Sequence, residues 1–111
     1  MTKLSDFWNS DIERCGFILK SGKIVEVENI AEDPKNEFEV SEEDFEKYYS
    51  DTVASWHSHT DDFANLSLSD YYTFLNLPEW DHWVVSKHKC VKFSVKSECV
   101  ILEEVIPHGD D

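Results

Sequence analysis

His57 and His59 sit one residue apart at the end of the apolar run Val53-Ala54-Ser55-Trp56, and Asp70 follows eleven positions after the second histidine. If residues 53–56 form a strand, side chains alternate between its faces and both imidazoles project to one side. They then stand about 6–7 Å apart at the backbone, within reach of one metal ion. Two imidazoles and a carboxylate are the donor set of a catalytic zinc, because three protein ligands leave the fourth position to water. The plain alternative is a chance HxH near a chance aspartate in a chain with 24 acidic residues. Ser67 lies three positions before Asp70, so on a helix the two share a face. Ser-x-x-Asp ahead of an apolar run is also what a helix cap looks like. The two roles are compatible, since a serine at a helix start beside a metal can hydrogen-bond a developing oxyanion. A zinc hydrolase also needs a general base for the proton of the attacking water. Composition singles out none of the acids, although Glu13 is distinctive for its place just ahead of Cys15-Gly16-Phe17-Ile18-Leu19.

The elements that must carry these residues follow from periodicity and turn chemistry. Leu4, Phe7, Trp8 and Ile12 have near-helical spacing over residues 4–13, with Thr2 or Ser5 as cap. Residues 15–19 and the alternating 23–28, separated by Ser21-Gly22, predict an antiparallel hairpin. Asp33-Pro34-Lys35-Asn36 is a turn, and Phe38 and Val40 suggest a short extended piece. Ser41 and Asp44 resemble a capping box for a helix through Tyr48 or Tyr49. The strand 53–56 leads into the histidines, residues 60–66 form a loop, and a helix from Ser67 to about Leu75 stops before Pro78. Strands at 82–86, 91–95 and 100–102 complete the set. The expected class is α/β, with a mostly consecutive sheet and helices against it.

At 111 residues and 13.0 kDa the chain fits one domain, expected over residues 1–106, with an acidic tail at 107–111 expected to fray. Hydrophobic residues make up 41% and aromatics 14%, enough for a core. The net charge of −14 argues against a phosphate-backbone partner and against an anionic membrane surface. Cys15, Cys90 and Cys99 are odd in number and unpaired by any CxxC, so they are expected to act as small apolar residues in a reducing cytoplasm. The first residues show no apolar segment of signal-peptide type and no run approaches a membrane span.

Glu13-Arg14-Cys15-Gly16-Phe17-Ile18-Leu19, together with the run from His57 to Asp70, resembles the JAMM motif of the Mov34-type MPN+ zinc metallopeptidases. That pattern has a glutamate ahead of a Cys-Gly strand, then His-x-His, seven residues of which the first is proline, and Ser-x-x-Asp. Here residues 60–66 supply the seven and Ser67-Leu68-Ser69-Asp70 closes the motif. The resemblance implies a single MPN domain of cytidine-deaminase-like fold, with a mixed central sheet flanked by helices. It also implies one Zn2+ held by His57, His59 and Asp70, with Glu13 as acid/base and Ser67 as stabiliser of the tetrahedral intermediate. The implied reaction is hydrolysis of an amide bond in a protein or peptide substrate, as a peptidase or isopeptidase. The chain is most similar to the short bacterial and phage versions, such as the domain in phage tail-assembly proteins of the lambda K type. That likeness implies tail proteins as partners and, for a phage-encoded protein, the host cytoplasm as its location. The NlpC-type cysteine peptidase domain often fused to such domains is not within these 111 residues. Short connections after Asp70 leave little room for the insertions with which eukaryotic deubiquitinases of the family grip ubiquitin.

Thr60 departs from the pattern, which has proline there; proline stiffens the loop but supplies no ligand. His82, His88 and His108 have no motif role and are expected to be ordinary surface or strand residues. The PCxxC ligand pair of zinc deaminases is absent from the sequence. Some relatives of the fold lack the motif and bind partners, so a non-catalytic tail-assembly or scaffold module is the second expectation. A structural zinc site is the third, disfavoured because closed sites prefer four ligands rich in cysteine.

Overall fold

The chain turns sharply at Ser21-Gly22, where Gly22 takes φ +91°, and folds Cys15–Leu19 (β1) against Ile24–Val27 (β2) as an antiparallel hairpin. The computed structural model describes residues 3–108. Helix α1 (Glu42–Tyr48) starts at Ser41, whose Oγ accepts the Asp44 N–H at 3.1 Å. A 3-10 turn at Tyr49–Asp51 then delivers the chain into β3 (Thr52–Ser58). Helix α2 (Leu68–Leu75) crosses to β4 (Asp81–Val85), which runs parallel to β3. β5 (Lys89–Lys96) and β6 (Cys99–Pro107) return antiparallel. The result is a mixed α/β architecture with one six-stranded sheet in the order β2-β1-β3-β4-β5-β6.

Each sheet face has its own core. Phe74 of α2 packs with Val84, Val91, Phe93 and Ala64 on one side. Trp56, Val85 and Cys90 take Leu4, Phe7 and Trp8 on the other. Gly16 is a packing requirement of the second face. The Trp56 indole crosses over it to donate to the Val25 carbonyl at 3.2 Å, and a Cβ on Gly16 would stand 1.9 Å from that oxygen. Gly16→Ala is therefore expected to destabilise the fold by about 1–3 kcal/mol or more, read as a lower urea midpoint at unchanged slope.

Several expectations are corrected. The N-terminal helix shrinks to a 3-10 turn at Leu4–Phe7, because the Asn9 side chain accepts the N–H groups of Asp11 and Ile12 and diverts the backbone from helical bonding. Of its two expected caps, Ser5 lies inside the turn and Thr2 lies outside the described residues. Phe38 and Val40 form no strand; that segment is a loop folded on itself. Pro107 closes β6 and the His108 N–H donates to the His88 carbonyl, while residues 109–111 lie outside the described residues. Cys15 and Cys90 are buried, and burial pushes their thiols up to about 12 and about 11, as suits inert fillers; Cys99 is exposed at a turn. No helix among the described residues is long and apolar enough to cross a membrane.

Candidate metal centre

β3 is the inner strand between β1 and β4, and its end delivers the two histidines. His57 is its penultimate residue, and the His59 N–H donates to the Val85 carbonyl at 2.8 Å, so the extended backbone continues past Ser58. Alternation then brings both rings to the face covered by α2. Asp70, in the first turn of α2, meets them there. His57 Nε2 and His59 Nε2 are 3.2 Å apart, and Asp70 Oδ2 lies 3.2 Å from the first and 3.1 Å from the second. A tetrahedral ion bound at about 2.0–2.1 Å sets its donor atoms about 3.3 Å apart. The three atoms thus form one face of such a tetrahedron, and this buried group can hold a metal ion.

The hydrogen-bond pattern calls for positive charge at that point. His59 Nδ1 donates to the Phe63 carbonyl at 3.0 Å, which leaves the lone pair of a neutral ring on Nε2. That lone pair faces a carboxylate oxygen at 3.1 Å, an arrangement that is repulsive without a proton or a cation between them. Burial pulls the His59 imidazole down, but the Asp70 carboxylate and the Phe63 carbonyl outweigh it and leave it above its ordinary value. Burial likewise pushes Asp70 up, yet the bonds from His57 and His59 prevail and hold its carboxyl well below the usual range. His57 is nearly inaccessible, and burial keeps its imidazole below the ordinary value against the pull of Asp70. Among the described residues its Nδ1 has no hydrogen-bond partner, whereas the matching nitrogen of His59 has one.

Ser67 and Asp70 form a reciprocal capping box. Ser67 Oγ accepts the Asp70 N–H at 3.0 Å, and Asp70 Oδ2 accepts the Ser67 N–H at 3.2 Å. The oxygen that caps the helix is the one that faces the imidazoles, so the cap itself aims that oxygen at them. The Ser67 hydroxyl accepts one bond and keeps its own hydrogen for another acceptor.

Glu13 arrives from β1. Cys15 pairs with His57, and the ladder continues beyond β1 as the Ser58 N–H donates to the Arg14 carbonyl at 2.8 Å. Two residues further, Glu13 stands opposite His59 on the same face. Glu13, His59 and Ser67 line one cleft of about 210 Å³. Glu13 is only 6% exposed, and burial lifts its carboxyl to about 7, opposed by His59 and reinforced by Asp70, Asp61 and Glu37. A group held near neutrality beside three candidate metal ligands is suited to proton transfer.

The fold has a solved counterpart. The solution structure of protein DSY2949 from Desulfitobacterium hafniense, a structural-genomics target, superposes with a TM-score of 0.61 over 84% of this chain and 76% of that one, at 19% identity. The two share a fold. No family model matches the chain, and no curated protein matches it.

Three further residues brace the candidate site through contacts that the sequence did not announce. Phe38 stacks on the His57 ring at a centroid distance of 4.3 Å and 21°. Thr60, where the JAMM pattern has proline, donates from Oγ1 to the Lys35 carbonyl at 3.2 Å, a bond that proline could not make. His82 is a strand residue but fully buried: its Nε2 donates to the Leu77 carbonyl at 2.9 Å, Ser55 Oγ donates to its Nδ1 at 2.6 Å, and Phe74 stacks on it. It therefore ties β3 to the segment that follows α2.

Proposed function

We propose that the protein is a zinc-dependent peptidase or isopeptidase of JAMM type within an MPN fold, hydrolysing an amide bond. The observation that carries this reading is the convergence of three donor atoms 3.1–3.2 Å apart beside a cleft that also holds Glu13 and Ser67. His57 Nε2, His59 Nε2 and Asp70 Oδ2 would hold the ion. Bound there, zinc would acidify a water and polarise the substrate carbonyl. Glu13 takes the proton of the attacking water and returns it to the leaving amine. Ser67 Oγ–H donates to the oxygen that gains charge.

Exposed apolar side chains on the segment that follows His59 suit a protein or peptide. Phe63, on the loop between His59 and α2, and Leu68 and Tyr72, on α2 itself, are 63%, 71% and 56% exposed. Exposed apolar side chains on a chain of net charge −14 favour a protein partner over nucleic acid. The likeness of the motif to the short phage versions supports a place in tail assembly in the host cytoplasm, with tail proteins as substrate or partner. The same exposed apolar side chains also favour the alternative of a scaffold module that binds a tail protein without cleaving it. Restored tail assembly by a Glu13→Gln protein would select that alternative.

The primary test is metal analysis of the purified protein, followed by hydrolysis of a panel of peptides and lysine-linked isopeptides with and without chelator. One zinc per chain and chelator-sensitive cleavage are expected; no zinc uptake would remove the reading. Ser67→Ala is expected to act twice. Loss of the cap costs about 1 kcal/mol of stability, and loss of the donor lowers kcat by about 10²-fold. Thermal unfolding and steady-state kinetics separate the two, and a variant that lost only stability would leave Ser67 a cap alone.

A further inference from the structure

Glu13 lies ahead of β1, and its own peptide groups are held from outside the sheet. Its N–H donates to the Pro34 carbonyl at 2.6 Å, and its carbonyl accepts from Asn29 Nδ2 at 2.8 Å. The same Nδ2 donates to the Glu37 carbonyl at 3.0 Å, while Asn29 Oδ1 accepts the N–H groups of Ala31 and Glu39, each at 3.0 Å. An asparagine amide offers two hydrogens and two lone pairs, so every one is used. The partners also fix the amide orientation, since turning it over would set oxygen against two carbonyls.

Two of those partners flank Phe38, the residue whose ring lies on His57. The Ile30 N–H donates to the Glu39 carbonyl at 2.9 Å and closes the base of the loop, and Thr60 ties its far side to the segment after His59. One side chain therefore reaches the acid/base candidate on one side and the cover of a ligand on the other.

We propose that Asn29 is a positioning residue of the site, fixing at once the main chain of Glu13 and the Phe38 ring against His57. It touches neither substrate nor ligand atoms. Its consequence for catalysis rests on the reading of Glu13 given under Proposed function, because displacing a reacting group by about 1 Å can cost about 10²-fold in rate.

The test uses Asn29→Asp, which keeps the shape and the acceptor oxygen but turns an anionic oxygen toward the carbonyls of Glu13 and Glu37. Asn29→Ala, which removes all four bonds, accompanies it. In metal-free protein the His57 ring protons, shielded by Phe38 in the wild type, are expected to move toward their positions in Phe38→Leu. The Glu13 amide is expected to exchange with solvent at least tenfold faster. Zinc affinity should stay within threefold, because the three ligands sit on β3, its extension and α2. On the panel peptide or isopeptide that the wild type cleaves, kcat should fall at least tenfold with KM within threefold. A residue that contributed stability alone would lower the unfolding midpoint and leave ring shifts, amide exchange and kcat at wild-type values, and that result overturns the proposal. Should neither variant fold, the wild type still decides: both Asn29 Hδ2 protons are expected to be protected from exchange, and rapid exchange of either overturns it. A wild type that takes up no zinc, or a Glu13→Gln protein with full activity, overturns the reading of the site, while the ring shifts and amide exchange still decide the role of Asn29.

Discussion

Replacing His57 with alanine is expected to lower zinc affinity by about 10²–10³-fold. Structural zinc sites bind with about 10–16 kcal/mol over four ligands, so one ligand accounts for about 3 kcal/mol, or two to three decades. His57 is the most deeply buried of the three donors, so no neighbouring group or bulk water replaces its Nε2 without opening the core. Competition with a chromophoric chelator measures the loss. Thermal unfolding supplies an independent check, since zinc should raise the midpoint of the wild type and barely that of the variant. His88→Ala serves as control, because the His88 side chain is exposed, lies away from the three donors and meets Asp62 at 3.9 Å. Unchanged affinity in His57→Ala would remove the centre from this face of the sheet.

Glu13→Gln is expected to lower kcat by about 10²–10⁴-fold while zinc stays bound. Glutamine keeps the volume and removes only the ability to take a proton, and Glu13 is not among the three converging donors. The pH profile carries the same information with a definite sign. A general base works when ionised, so activity rises with pH through the Glu13 transition. Burial lifts that carboxyl to about 7 in the metal-free chain, and a dication at the adjacent ligands pulls it down, so the acid limb should fall below about 7. In Glu13→Gln that limb should vanish along with most of the rate. A variant that kept both rate and limb would assign the proton transfer elsewhere.

The candidate ligands were legible because their spacing is local. A strand alternates with period two, so an HxH at its end commits both rings to one face once the strand is granted. Ser67 and Asp70 were legible for a similar reason, as a helix start announces itself within four residues. The sequence left cap and ligand as compatible roles, and one oxygen is placed for both, because Asp70 Oδ2 accepts the cap bond and faces the two imidazoles. Glu13 is different in kind. Nothing within ten residues of it speaks for proton transfer, and only the motif resemblance singled it out. Its geometry arises from the pairing of β1 with β3, a contact between residues more than forty positions apart.

The sequence by itself determined the place of all six strands, both helices, the α/β class and the residues able to ligate a metal, since these depend on periodicity and short-range bonding. It also predicted an extended piece at Phe38 and Val40 that is a loop, and only residues 100–102 of β6, which runs Cys99–Pro107. The shortened N-terminal helix was missed through a competing local bond, from the Asn9 side chain to its own backbone. Tertiary structure alone decided the rest: the burial that brings Glu13 near neutrality, the Phe38 cover on His57, the strut through His82, and the clasp of Asn29. Each depends on how far apart in the chain its partners are, and no local pattern encodes a contact whose second half lies on another strand or loop. His57, His59 and Asp70 were therefore visible as a list of donors, while the charge they call for and the groups that hold Glu13 beside them emerged only from the folded sheet.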